Sequence, residues 1–173
     1  MRQLYCGGAF PFDPRSADYC RLAAGDYRAV LLGSRELLMQ RSAGIPLNRR
    51  TTYIGPFYYE TPDMRDVDIV RDEMEMIRRC TDAVFLLDDA ACPGTVCELT
   101  AAAMLHKRLH IFYLRRDDDQ ETESALHSPC WYPIIHSTII NTATSIHACH
   151  DYAEAVRRIT ELVRSWDPDH YRR

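Results

Sequence analysis

The 173 residues contain no CxxC pair, no long glycine-rich loop and no apolar run of membrane-spanning length, and basic residues are not in excess. Each absence removes a class. Without CxxC spacing, and with an odd count of seven cysteines, the sequence does not read as a disulfide framework. Cys6, Cys20, Cys80, Cys92, Cys97, Cys130 and Cys149 are expected to be reduced thiols, mostly filling the core of a cytoplasmic protein. The opening MRQLYCGGAF is too short and too soon broken by glycine to act as a signal peptide. The short apolar runs argue against a membrane partner. Lys and Arg number 21 against 25 Asp and Glu, a net charge of -4, which disfavours a nucleic-acid polymer. A small anionic ligand needs only a local cluster or a helix N-terminus, so it stays open.

What remains is an ordinary globular balance, 46% apolar and 27% charged, at a length suited to one domain over residues 1–173. Gln3 to Cys6 reads as a first strand that ends at Gly7-Gly8. The stretch from Tyr19 to Gln40 is ambiguous between strand and helix, with Ser34 a plausible cap. TTYIGPF reads as a second strand, and YYETPDMRDVD as an irregular segment. Ile69, Met76, Ile77 and Cys80 give Asp68 to Cys80 one apolar helical side. DAVFLLD is a continuous apolar run between acids, suited to a strand buried on both faces. Thr95 to His106 reads as an almost wholly apolar helix, RLHIFYL as a strand, and RRDDDQETES as a solvated segment. WYPIIHSTII is a further strand candidate interrupted by Pro133. In DYAEAVRRITELVRSW, the positions Ala155, Val156, Ile159, Leu162 and Val163 form one helical stripe. The alternation predicts an α/β fold: a flavodoxin/Rossmann-like three-layer α-β-α sandwich with a mostly parallel sheet.

Within CPGTVCELTAAA stands a glutamate, Glu98, that the surrounding small apolar residues do not explain. Thr95-x-x-Glu98 has the spacing of a capping box, which would satisfy the carboxylate locally. Alternatively, Val96, Cys97, Leu99 and Ala101 to Ala103 leave no polar face, so Glu98 is partly buried against Ala101, Ala102 and Leu105. A charge there is expensive without a purpose. In open α/β sheets ligands sit beyond the carboxyl ends of the strands. Three loops leave such ends: Gly7 to Phe12, Gly55 to Tyr59, and Asp88 to Gly94. The amides around Gly94 and Thr95 can face an anion.

The segment MIRRCTDAVFLLDDAACPGTVCELTAAAMLHKRLHIFYL, with LYCGGAF upstream, resembles the nucleoside 2-deoxyribosyltransferase superfamily, which includes nucleoside 5'-monophosphate N-glycosidases. The likeness spans Leu4 to Leu114 and is most specific from Met76 onward; Phe12 to Arg50 matches weakly. It implies a cofactor-free enzyme in which Glu98 attacks the anomeric carbon and releases the base. It implies that Tyr5 steadies the nucleophile and that Glu73 or Asp72 reaches the sugar hydroxyls. Gly7, Gly8, Phe10, Asp88, Cys92, Gly94 and Thr95 would line the ligand. Where many base-exchanging members carry an aspartate, this chain has Cys92, so the PGTxxE form is closer to the N-glycosidases and points to hydrolysis. The resemblance also implies a homodimer or higher homo-oligomer, whose C-terminal tail with Tyr171 could approach a partner's pocket.

Rival uses of these residues are weaker. Cys92 before a helix has the setting of a reactive thiol, but no histidine can be placed beside it. His106-x3-His110 and His147-x2-His150 are loose pairs, read as surface or core histidines rather than metal ligands. A nucleotide sensor without catalysis would use the same pocket and release no base.

Overall fold

A computed structural model describes residues 1–8, 44–57, 65–87, 93–114 and 131–167, together with Arg28 and Leu31. In chain order the elements are β1 (Arg2–Gly8), β2 (Ile45–Asn48), β3 (Thr51–Gly55), α1 (Asp66–Arg79), β4 (Asp82–Leu87), α2 (Pro93–Met104), β5 (Arg108–Leu114), α3 (Trp131–Ile140), β6 (Thr144–Cys149) and α4 (Tyr152–Ser165). The strands form one sheet in the order β2-β3-β1-β4-β5-β6. All pairings are parallel except the β2–β3 edge, so this is the α/β architecture that the alternation of patterns predicts.

The apolar run of β4 is buried along its whole length, because it is central and covered on both faces. Register then decides what faces what. Tyr5 pairs with Ala83 and Gly7 with Phe85, so Tyr5, Gly7 and Phe85 share one face of the sheet. α1 and α2 pack on that face, with Met76 over Gly55 and Glu98 over Gly7. α4 covers the other face. Its Arg158 reaches His147 at 3.3 Å, and Trp166 lies 5.5 Å from the His110 ring. The chain leaves β1 toward β3 on one side and leaves β4 toward β5 on the other. The carboxyl ends of β1 and β4 are therefore the switch point where α/β sheets place ligands.

The opposite end of β4 carries a structural anchor. Asp82 is fully buried and bonds both Arg2 and, at 3.0 Å, Arg108. Arg2 in turn stacks on Trp166, 4.6 Å from its ring centre. Replacing Asp82 by Asn should lower the urea midpoint by an amount worth about 2 kcal/mol. That is below the usual cost of breaking a buried pair, because both arginines are part-exposed and can rehydrate. An unchanged midpoint would show that the anchor contributes nothing.

Two expectations need correction. WYPIIHSTII is helix α3, not a strand. Pro133 is its third residue, in the first turn, where a missing N–H breaks no helical bond. Ile134 and Ser137 are buried three apart, and the Ser137 hydroxyl donates to the Pro133 carbonyl at 2.7 Å. The next strand is instead TSIHAC, β6, which the sequence reading leaves without an element. The edge strand β2 also goes unassigned there. The Tyr19 to Gln40 stretch lies outside the described residues apart from Arg28 and Leu31, and so do 58–64 and 115–130.

Candidate active site

Helix α2 begins at Pro93, a residue suited to a first helical position because its missing N–H has no intrahelical partner there. Thr95 is therefore inside the first turn, and Glu98 is the sixth helical residue. This overturns the capping-box alternative: Thr95 is not the N-cap and Glu98 is not its reciprocal partner. Glu98 instead turns its carboxyl toward the sheet, only 9% exposed.

Its described neighbours come from β1, α1 and β4, and include Arg28. A Cβ built on Gly7 would lie 2.9 Å from Glu98 Oε2 and 2.3 Å from the Phe85 ring, so only glycine lets the carboxyl rest on the β1 backbone. From α1, the Glu73 carboxyl shares a hydrogen bond with Glu98. From β1, the fully buried Tyr5 brings its hydroxyl to the Glu98 carboxyl and favours the charged form, its ring 6.2 Å from that of Phe85. The buried guanidinium of Arg28 acts on both glutamates and donates to the Cys6 carbonyl at 3.5 Å.

Burial pushes Glu98 up to about 8, with the charge of Glu73 as the next cause; Tyr5 and Arg28 pull the other way. Burial also raises Glu73, opposed by Arg28 and by the bond to Glu98, while the charge of Asp72 adds to the rise. Both carboxyls are thus pushed toward the neutral form, and at neutral pH Glu98 is mostly protonated. A buried acid–carboxylate pair at a sheet switch point can supply both a nucleophile and a proton.

The sequence matches no family model and no curated protein. A similar solved structure is the CMP N-glycosidase BcmB of Clostridium botulinum, at 8% identity and a TM-score of 0.49, covering 93% of this chain and 99% of that one. At those values the likeness carries no functional weight.

Of the residues singled out in the sequence, Glu98, Tyr5, Glu73 and Gly7 are brought together. Asp72 lies beside Glu73 on α1 and reaches the pair through its charge. Gly8 ends β1, half-buried; Gly94 is exposed and Thr95 buried in the first turn of α2. Phe10, Asp88, Cys92 and Tyr171 lie outside the described residues. Two participants escaped the sequence reading. Arg28 falls in the weakly matched segment, where no spacing marks it. Phe85 looks like any residue of an apolar strand, and only the register sets it beside Gly7.

His110, His147 and Cys80 take structural positions. His110 contacts the Ser145 hydroxyl at 2.8 Å, and His147 stacks on Phe112 with ring centres 4.5 Å apart. Burial pushes the His110 imidazole down to about 4 and the Cys80 thiol up to about 12. Among the described residues, no three His, Cys, Asp or Glu side chains group as a metal site would require. No described helix is long and apolar enough to cross a membrane.

Proposed function

We propose that this protein is an N-glycosidase that cleaves the base–sugar bond of a nucleoside or nucleoside 5'-monophosphate, with Glu98 as nucleophile. The observation that carries this is the hydrogen-bonded Glu98–Glu73 pair seated on Gly7 at the carboxyl end of β1. The proton first moves along the hydrogen bond to Glu73, leaving Glu98 as carboxylate. A Glu98 oxygen attacks the sugar C1 as the C1–N bond breaks, and the base leaves with the proton that Glu73 held. Water then adds to C1 as the ester bond to Glu98 breaks, and its proton returns to Glu73. Tyr5 steadies the Glu98 carboxylate, Glu73 meets the sugar hydroxyls, and the chemistry calls for no cofactor. Attack by a neighbouring carboxyl explains why a protein would bury two acids in contact, an arrangement that costs stability.

The compartment proposed is the cytoplasm, consistent with Cys6, Cys80, Cys97 and Cys149 standing as thiols rather than disulfides. A homodimer is part of the proposal. α2 bears no charged side chain besides Glu98 and α3 bears none, while Met104, Leu105, Trp131, Tyr132 and Ile139 are exposed.

The test is a base-release screen over nucleosides and their monophosphates, comparing wild type with Glu98→Ala and run with and without a second free base. Release by wild type and not by the variant is expected. The wild-type rate should rise as the first carboxyl ionises and fall above about pH 8, where the pair loses its last proton. A new nucleoside in the presence of the second base would reassign the protein to base exchange. Nucleotide binding without any release would make it a sensor.

A further inference from the structure

The Glu73–Glu98 pair raises a charge problem that neither carboxyl solves. Whatever negative charge the two carboxyls carry lies beside the buried Glu98, half-buried on Glu73, and a buried net charge is costly unless it is balanced. Among the described residues, four groups face it: Tyr5 from β1, Asp72 alongside Glu73 on α1, the backbone at Gly7, and Arg28. Tyr5 and Gly7 are neutral, and Asp72 makes the imbalance worse. Arg28 is 1% exposed and bonds the carbonyl of Cys6, the residue before Gly7. Arginine stays charged in any protein setting, so its burial at this spot fixes one positive charge beside the acids.

We infer that Arg28 is a positioning residue for the carboxyl pair: its buried guanidinium, held by the Cys6 carbonyl next to Gly7, sets one fixed positive charge beside the acids and keeps a carboxylate available there. Without it both carboxyls would be driven further toward the neutral form, and less carboxylate would be left to act. This deepens the N-glycosidase reading, yet its main test needs no substrate. Arg28 thereby has two attachments, one to backbone and one to charge, and substitutions can separate them. Glutamine keeps a donor for the Cys6 carbonyl and removes the charge. Lysine keeps the charge and loses the planar fork.

The experiment is a carbon-13 NMR titration of the glutamate side-chain carboxyls in the substrate-free protein, for wild type, Arg28→Gln and Arg28→Lys. In Arg28→Gln the midpoints of both Glu73 and Glu98 should rise by about one pH unit or more, the usual effect of losing a close opposite charge. In Arg28→Lys they should stay within about half a unit of wild type on the same grounds. If the protein releases base, Arg28→Gln should lose activity at pH 7 and regain part of it as pH rises, an acid limb moved upward. Unmoved midpoints in a folded Arg28→Gln would overturn the inference, and so would a lysine variant that shifts as far as the glutamine one. Should Arg28→Gln be unfolded at pH 7, it should fold at pH 5, where protonation lessens the negative charge that a cation must balance. Unfolding at both pH values would assign Arg28 a purely structural role and overturn the inference. Shifted midpoints with no base release from any substrate would uphold the role of Arg28 while defeating the N-glycosidase reading.

Discussion

Glu98→Gln is expected to make the protein more stable while abolishing base release. Folding raises the Glu98 carboxyl from 4.5 to about 8, so between those values the folded chain binds a proton that the unfolded chain does not. Stability tied to this group is complete below pH 4.5 and drains away as pH rises toward 8. At pH 7 the cost is about 3 kcal/mol, taking about 1.4 kcal/mol for each pH unit between the ordinary value and pH 7. Glutamine never ionises and can donate to Glu73 as the protonated acid does. The variant should therefore gain about 2–3 kcal/mol at pH 7, close to nothing at pH 4.5, and most above pH 8. Urea unfolding at three pH values measures this directly. A gain that does not grow with pH would mean that burial does not hold the proton on Glu98. Release should fall at least about a thousandfold, since a group that forms the covalent bond has no substitute.

The second large effect is expected from Gly7→Ala, a change of one methyl. The new Cβ would lie 2.3 Å and 2.5 Å from two atoms of the Phe85 ring and 2.9 Å from Glu98 Oε2. The ring is fully buried and cannot swing away freely. Overpacking of this kind costs about 1–3 kcal/mol, and the clash here puts Gly7→Ala at the upper end of that range. The Glu98 carboxyl must shift as well, and a displacement near 1 Å lowers rates by about a hundredfold. Adding Phe85→Leu should recover part of the stability, because it removes the ring, but little of the rate, because the contact with Glu98 persists. Full recovery of both in the double variant would show that the seat of Glu98 on Gly7 is unimportant.

How far the sequence could be read depended on whether a residue's surroundings are local. β4 was legible because a doubly covered strand is apolar throughout, and α4 because its stripe Ala155, Ile159 and Val163 faces a sheet. Glu98 stands out because its neighbours are small and uncharged, whereas Glu73 is reached only through the family resemblance, with Asp72 left open beside it. α3 was misread because Ile134, Ile135, Ile139 and Ile140 have strand propensity, while burial of Ile134 and Ser137 made the helix. β6 was missed because TSIHAC has little apolar signal; it is half-buried at the sheet edge, satisfied by hydrogen bonds and by stacking on Phe112. β2 contains Pro46, which an edge strand tolerates and a pattern search rejects. Arg28 was invisible for a different reason: it meets the acids only after the sheet has assembled.

The seat of Glu98 on the β1 main chain has an engineering consequence. A reactive group braced by another side chain drifts whenever that side chain is exchanged or changes rotamer. Here the brace is a peptide unit of β1 paired with Phe85 of the parallel strand β4, and a side-chain substitution in β4 leaves that main-chain pairing in place. The periphery can thus be redesigned for new leaving groups while the reaction centre keeps its coordinates, provided position 7 stays bare.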